Sequence, residues 1–153
     1  MTINLKEKFQ IHVNVDIPIV VGQDEVSGRR QLIRVISGEL IGENLHGTVL
    51  PGAIDSQIIR PNGICEISAR FGVLLSDNTS FYVENNGIRT APEEYLEKIK
   101  QGFILPSELY YFCTIPTFEI YSPKLNWLIL RKFICLGKKT ITQVELSYYE
   151  IEM

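Results

Sequence analysis

The chain reads as an all-β, mainly antiparallel protein, either a sandwich or a barrel, with one short helix. Three observations predict this. Apolar residues recur with a period of two along most of the length, β-branched and aromatic residues fill those runs, and turn-forming residues separate them at short, regular intervals.

The elements follow in order. "FQIHVNV" alternates Phe9, Ile11, Val13 and Val15 against Gln10, His12 and Asn14. "RQLIRVI" and "NLHGTVL" continue in β-branched residues around a Gly-containing turn. In "GICEISARFGVLL" one face carries Cys65, Ile67, Ala69, Phe71, Val73 and Leu75, and the other Glu66, Ser68 and Arg70. "TSFYVEN", "ELYYFCTI", "LNWLILRKFICL" and "TQVELSYYEIE" read as further strands, with "SDN" (76–78), "ENNG" (84–87), "SPK" (122–124) and "LGKK" (136–139) as the turns between them. Pro18, Pro51, Pro116 and Pro123 are expected at strand ends or bulges, where a missing N–H does no harm. One segment departs from the pattern. "TAPEEYLEKIKQGF" places Pro92 near a first helical position, Glu93 and Glu94 in a first turn, Lys98 and Lys100 in a last turn, and Gly102 as its terminator. With Tyr95, Leu96 and Ile99 as an apolar stripe, it predicts about three helical turns. Such a helix covers a sheet edge or barrel end, or serves as a lid over a cavity; the structural cover is the favoured reading.

Composition narrows the function classes. At 153 residues the chain suits one domain spanning 1–153, and a net charge of −3 supplies no basic face for nucleic acid. The start of the chain lacks the pattern of a secretory signal, and no apolar stretch approaches the roughly 20 residues needed to cross a bilayer. Three cysteines without a C-x-x-C pair read as reduced core residues, so a cytoplasmic location is expected. His12 and His46 lack ligand-spaced companions, and phosphate-binding glycine motifs and a serine-nucleophile elbow are absent. The expectation is therefore no metal, no cofactor, no nucleic acid and no membrane partner. Exposed sheet edges suggest a homodimer.

Several motifs carry a resemblance. A "GRR" turn (28–30) precedes "SGELIGENLHGTVLPGAIDSQ" (37–57), and "GICEISARFGVLLSDN", "VENNGIRTAPE", "YYFCTIPTFE" and "WLI" follow. Together they resemble the uncharacterised family known as domain of unknown function three-two-three-seven, over nearly the whole chain. The resemblance implies a closed or nearly closed β-barrel, calycin-like, and no settled activity. Relative to the family pattern, Ala53 replaces a glycine, Ser56 a tryptophan, Cys113 an arginine and Ile129 an asparagine, so a site relying on that tryptophan or arginine would be altered here.

The stretch "GTVLPGAIDSQ" is the first candidate site. After the Pro51-Gly52 corner the chain re-enters the sheet with Asp55 and Gln57 on one face and Ser56 and Ile58 on the other. In a small barrel one face of every strand points inward, so the acid and the amide would line the lumen and orient a polar ligand. The alternative is an Asx-type turn capped by Asp55. Glu119, beside aromatic residues, is a candidate desolvated carboxylate or a solvated edge residue. Arg29, Arg30 and Arg89 are candidate anion clamps at a rim or ordinary surface arginines, and Arg70 reads as a cross-strand ion-pair partner. Tyr82, Tyr110, Tyr111, Phe118 and Trp127 are pocket-wall candidates or sheet core. The expected ligand-binding set is thus Arg29, Arg30, Asp55, Gln57, Glu119 and Trp127. It would serve a small, partly apolar ligand in the lumen. The alternatives are a cofactor-free isomerase, cyclase or lyase acting on a carbonyl compound, with Asp55 or Glu119 as base, and a homo-oligomeric interaction module.

Overall fold

The computed structural model describes residues 1–100 and 103–153. Ten strands form one antiparallel sheet: β1 (Asn4–Val15), β2 (Ile19–Asp24), β3 (Gly28–Gly42), β4 (Leu45–Val49), β5 (Ile54–Ile59), β6 (Cys65–Leu75), β7 (Ser80–Thr90), β8 (Tyr111–Ile120), β9 (Phe133–Lys139) and β10 (Gln143–Glu152). Strand β1 pairs with β10 on one side and with β3 on the other, which closes the sheet into a barrel. Its circumference has eight staves, because two of them are each built from two strands in succession. Strands β4 and β5 meet opposite ends of both β3 and β6, joined by the Pro51-Gly52 corner, where Gly52 takes a φ of +98°. Strand β2 follows β1 along the other edge of β3 and is exposed throughout.

Closure explains the period of two. Each strand except β2 sends alternate residues inward along the stretch that closes the barrel, so Phe9, Ile11 and Val13 on β1 meet Ile67, Phe71 and Val73 on β6 across one core. Cys65, Cys113 and Cys135 are free thiols. Arg70 reaches Glu84 at 3.7 Å across the outer face. No helix among the described residues is long and apolar enough to cross a membrane.

One end of the barrel is plugged by aromatic rings. Phe9 stacks on Tyr148 with centroids 4.6 Å apart, and Phe81, Phe118, Phe133 and Trp127 surround it edge-on or tilted. A 3₁₀ turn (Pro123–Leu128) brings in Trp127, its Ser122 hydroxyl accepting from the Lys124 N–H and its Leu125 and Leu128 buried three residues apart. This corrects the expectation of a continuous strand through "LNWLILRKFICL", whose first part caps the barrel while the strand starts at Phe133.

Other expectations change as well. "ENNG" and "LGKK" lie inside β7 and β9, not in turns. Asn85 is buried there, and Gly87 and Gly137 are pressed against Thr114 and the Phe112 ring. Pro116 sits mid-strand on β8, beyond the Cys113 and Thr114 positions where β8 pairs with β9, so its lack of an N–H breaks no ladder on that side. The predicted three-turn helix is a 3₁₀ turn (Glu93–Tyr95) running into α1 (Leu96–Lys100); Gly102 lies outside the described residues. Leu96 packs on Gly63 in the β5–β6 turn so closely that a side chain at 63 would collide with it, which places the segment after β7 over the open end.

Candidate functional site

The barrel interior is hollow between the aromatic plug and that covered mouth. A deep chamber, about 50 Å³ measured as space open to the centre of a water molecule, is walled by Val13, Ile33, Ile67, Phe71, Phe112 and Leu146, with Asp55 and Gln57 among them. An outer chamber of about 370 Å³ by the same measure is lined by Ile99, Phe103, Ile104, Leu105, Tyr110 and Ile141, with Arg29 and Gln31. Arg89 and Lys139 line both and so stand where the two adjoin.

The polar groups form a short chain. Gln31 Nε2 donates to Gln57 Oε1 at 2.9 Å, and Gln57 Nε2 donates to Asp55 Oδ2 at 2.7 Å. Both glutamines are buried, and their pairing follows from β3–β5 register, which sets Gln31 opposite Gln57. Asp55 Oδ1 is buried and makes no hydrogen bond of normal geometry among the described residues. Burial raises the Asp55 carboxyl above its ordinary range; the Gln57 amide, the Arg89 and Lys139 charges and the neighbouring Ser68 N–H offset this only in part. Burial, reinforced by repulsion from Arg89, lowers the Lys139 ammonium to about 8. Arg89 lies 5.8 Å from the Phe112 ring centre, its Nη2 3.8 Å from the Cys65 sulfur. The Tyr110 hydroxyl accepts from the Lys139 backbone N–H at 2.7 Å and so pins the end of β9 where the chambers adjoin. Below it, Thr114 Oγ1 donates to the buried Asn85 Oδ1 at 2.7 Å.

Of the expected site residues, Asp55, Gln57 and Arg29 face this space, Asp55 and Gln57 in the deep chamber and Arg29 in the outer one. The other three are not brought to it. Arg30 has the opposite parity on β3 and is exposed, donating to Ser56 Oγ at 3.1 Å on the outer wall. Glu119 is exposed on β8 and accepts from the Tyr121 hydroxyl at 3.0 Å. Trp127 belongs to the plug at the opposite end, with Lys8 5.7 Å from its ring centre. Lys139, Gln31 and Asn85 are absent from the expected set. Strand parity contained the signal: Lys139 follows Phe133, Cys135 and Gly137 in steps of two, and Asn85 and Arg89 follow Phe81 and Val83. Reading "LGKK" and "ENNG" as turns hid it. Ser56, Cys113 and Ile129, where this chain departs from the family pattern, line neither chamber.

Comparison with other proteins places this architecture. The family described as "Protein of unknown function (DUF3237)" matches residues 3–151. A UPF0311 protein of Clostridium acetobutylicum is 51% identical over 97% of this chain and 94% of its own length. A UPF0311 protein of Rhodopseudomonas palustris is 36% identical over 99% of both. A crystal structure of a protein of unknown function from C. acetobutylicum superposes with a TM-score of 0.95 at 50% identity, covering 99% of each chain. A β-barrel-like protein from Acinetobacter baumannii superposes with a TM-score of 0.84 at 25% identity, covering 99% of this chain and 98% of the other.

Proposed function

The chain belongs to this family of proteins of unknown function, so its activity has to be read from its own lumen, and we propose that the barrel binds a small, partly apolar organic ligand there. The observation that carries the reading is the pair of adjoining chambers that share two cationic side chains, Arg89 and Lys139. An outer volume of about 370 Å³ falls in the roughly 300–1,000 Å³ range of small-molecule sites, and its apolar walls with few polar groups are the usual composition of such sites. Side chains that served only to fill a core would not leave Arg89, Lys139 and Asp55 facing open space at the cost of their desolvation.

The test is titration with cinnamyl alcohol, cinnamate and decanoate, followed by methyl NMR. Binding in the lumen shifts the signals of Val13, Ile33 and Ile67 and leaves the exposed Val26 and Ile36 unmoved. If no probe in the set moves the lumen methyls, the reading is overturned.

A second reading, cofactor-free proton transfer on a carbonyl compound, is favoured by one observation: the buried Asp55 carboxyl, raised by desolvation, lines the same space as Arg89 and Lys139. Asp55 would take a proton next to the carbonyl while the cations stabilise the oxyanion formed. Glu119 has no part in it. Deuterium incorporation next to the carbonyl of a bound ketone in heavy water, lost in Asp55→Asn, is the expected outcome.

A further inference from the structure

Three buried side-chain polar atoms make no hydrogen bond of normal geometry among the described residues: Asp55 Oδ1, Arg29 Nε and Tyr148 Oη. Buried polar atoms are normally satisfied, so each needs an explanation. Tyr148 is fully buried in the aromatic plug, lines neither chamber, and has the Cys135 thiol beside its hydroxyl. The other two belong to residues that line the hollow interior, and they differ in kind. The acceptor, Asp55 Oδ1, belongs to a residue of the deep chamber; the donor, Arg29 Nε, belongs to a residue of the outer one.

Charge is distributed the same way. Arg29, Arg89 and Lys139 line the outer chamber, and no acidic side chain does among the described residues. An anion there would relieve the repulsion between Arg89 and Lys139 and give Arg29 its missing acceptor. Size adds a third constraint. The deep chamber admits a hydroxyl or a similar small group but no ring, whereas the outer chamber has the volume and apolar walls for a ring or short chain.

From these constraints we infer that the occupant of the lumen is an amphipathic organic acid with an O–H or N–H donor remote from its carboxylate. The donor enters the deep chamber and bonds to Asp55, and the carboxylate lies among Arg29, Arg89 and Lys139. This rests on the lumen-binding reading and deepens it. A small inorganic anion would leave the apolar walls and Asp55 unused, and a neutral apolar molecule would leave both orphan atoms unpaired.

The experiment is calorimetric titration of wild type, Asp55→Asn and Arg29→Met with 4-hydroxycinnamate, cinnamate, 4-hydroxycinnamyl alcohol and acetate. In the wild type, loss of either the hydroxyl or the carboxylate should weaken binding about tenfold, the scale of one hydrogen bond to a charged partner. In Asp55→Asn the hydroxyl advantage should fall to about twofold or less, because the amide turns a donor toward the chamber. In Arg29→Met the carboxylate advantage should fall while the hydroxyl advantage persists. Acetate should bind far more weakly than cinnamate. Equal affinity with and without the hydroxyl, a hydroxyl advantage unchanged in Asp55→Asn, or acetate binding as tightly as cinnamate overturns the inference. Lumen methyls that still respond to the probes would leave the binding reading standing in each of those cases.

Discussion

Replacing Asp55 by asparagine should stabilise the ligand-free protein at neutral pH, although the residue it removes is the central polar group of the lumen. Asparagine keeps the volume and can keep the Gln57 hydrogen bond, with its carbonyl oxygen in the place of Oδ2. What disappears is a buried negative charge with an unpartnered oxygen. The amide that replaces it is unpaired as well but uncharged, so the gain is the extra desolvation cost of the charge, roughly 1–3 kcal/mol, and for a domain of this length that corresponds to a rise in Tm of roughly 2–12 °C. The pH dependence fixes the cause. The carboxyl is raised above 3.8 in the folded state, so the folded protein holds this proton more tightly than the unfolded chain does. Its contribution to wild-type stability is fully present below the unfolded value and is lost as pH rises through the folded one. The advantage of Asp55→Asn should therefore be largest at pH 8 and shrink toward zero near pH 4. Thermal unfolding by circular dichroism across that range reads both quantities. A variant less stable than wild type at pH 7, or an advantage independent of pH, would refute the assignment of Asp55 as a desolvated lumen carboxylate.

Further outcomes follow from the same geometry. Lys139→Met should stabilise the empty barrel at pH 7 by on the order of 3 kcal/mol, since lowering an ammonium from 10.5 to about 8 means the fold carries that charge at a cost. The gain should vanish as pH climbs from about 8 toward 10.5, because the wild-type lysine sheds its proton in the folded state first; chemical denaturation at pH 7 and 10 checks it. Cinnamate affinity for wild type should fall through the same region above pH 8. Gly87→Ala sets a methyl 2.2 Å from the Cys113 carbonyl oxygen and 2.4 Å from Thr114 Cα, both backbone atoms, and should cost about 1–3 kcal/mol or more in urea unfolding. Phe9→Ala removes the centre of the aromatic plug and should cost about 3–5 kcal/mol. Arg30→Ala and Glu119→Gln, on the outer wall, should change stability by less than about 0.5 kcal/mol and leave probe affinity unmoved.

The fold class was legible because closure forces one simple pattern on every strand: Phe9 to Val15 and Cys65 to Leu75 show it without interruption. The Asp55–Gln57 pair was legible for the same reason, as two polar residues at the inward parity just past a corner. Lys139 and Asn85 escaped notice because glycine beside polar residues has two physical meanings. It opens turns, and it also makes room where one strand presses on another, as Gly87 does on Thr114 and Gly137 on Phe112. Sequence cannot separate these without knowing the neighbour across the sheet. Glu119 and Trp127 show the complementary difficulty. Each sits in an aromatic-rich run, but which face or which end of the barrel it occupies depends on register and on the cap after β8, both set by residues far away in the chain.

The lacing between β8 and β9 has a mechanical consequence. These strands share two aligned residue pairs, Cys113–Leu136 and Thr114–Cys135, against ten between β7 and β8. Below that short clasp the two strands are joined by side chains instead of by a ladder, Phe118 of β8 packing edge-on against Phe133 of β9 with ring centres 5.4 Å apart. Circumference is therefore held least firmly along this line, where two aligned pairs and the Tyr110–Lys139 hydrogen bond are, among the described residues, all the backbone ties that widening the cylinder would loosen. A guest somewhat bulkier than the resting hollow would be admitted by that elasticity, with Thr114 and its partner Asn85 as the first groups to feel it.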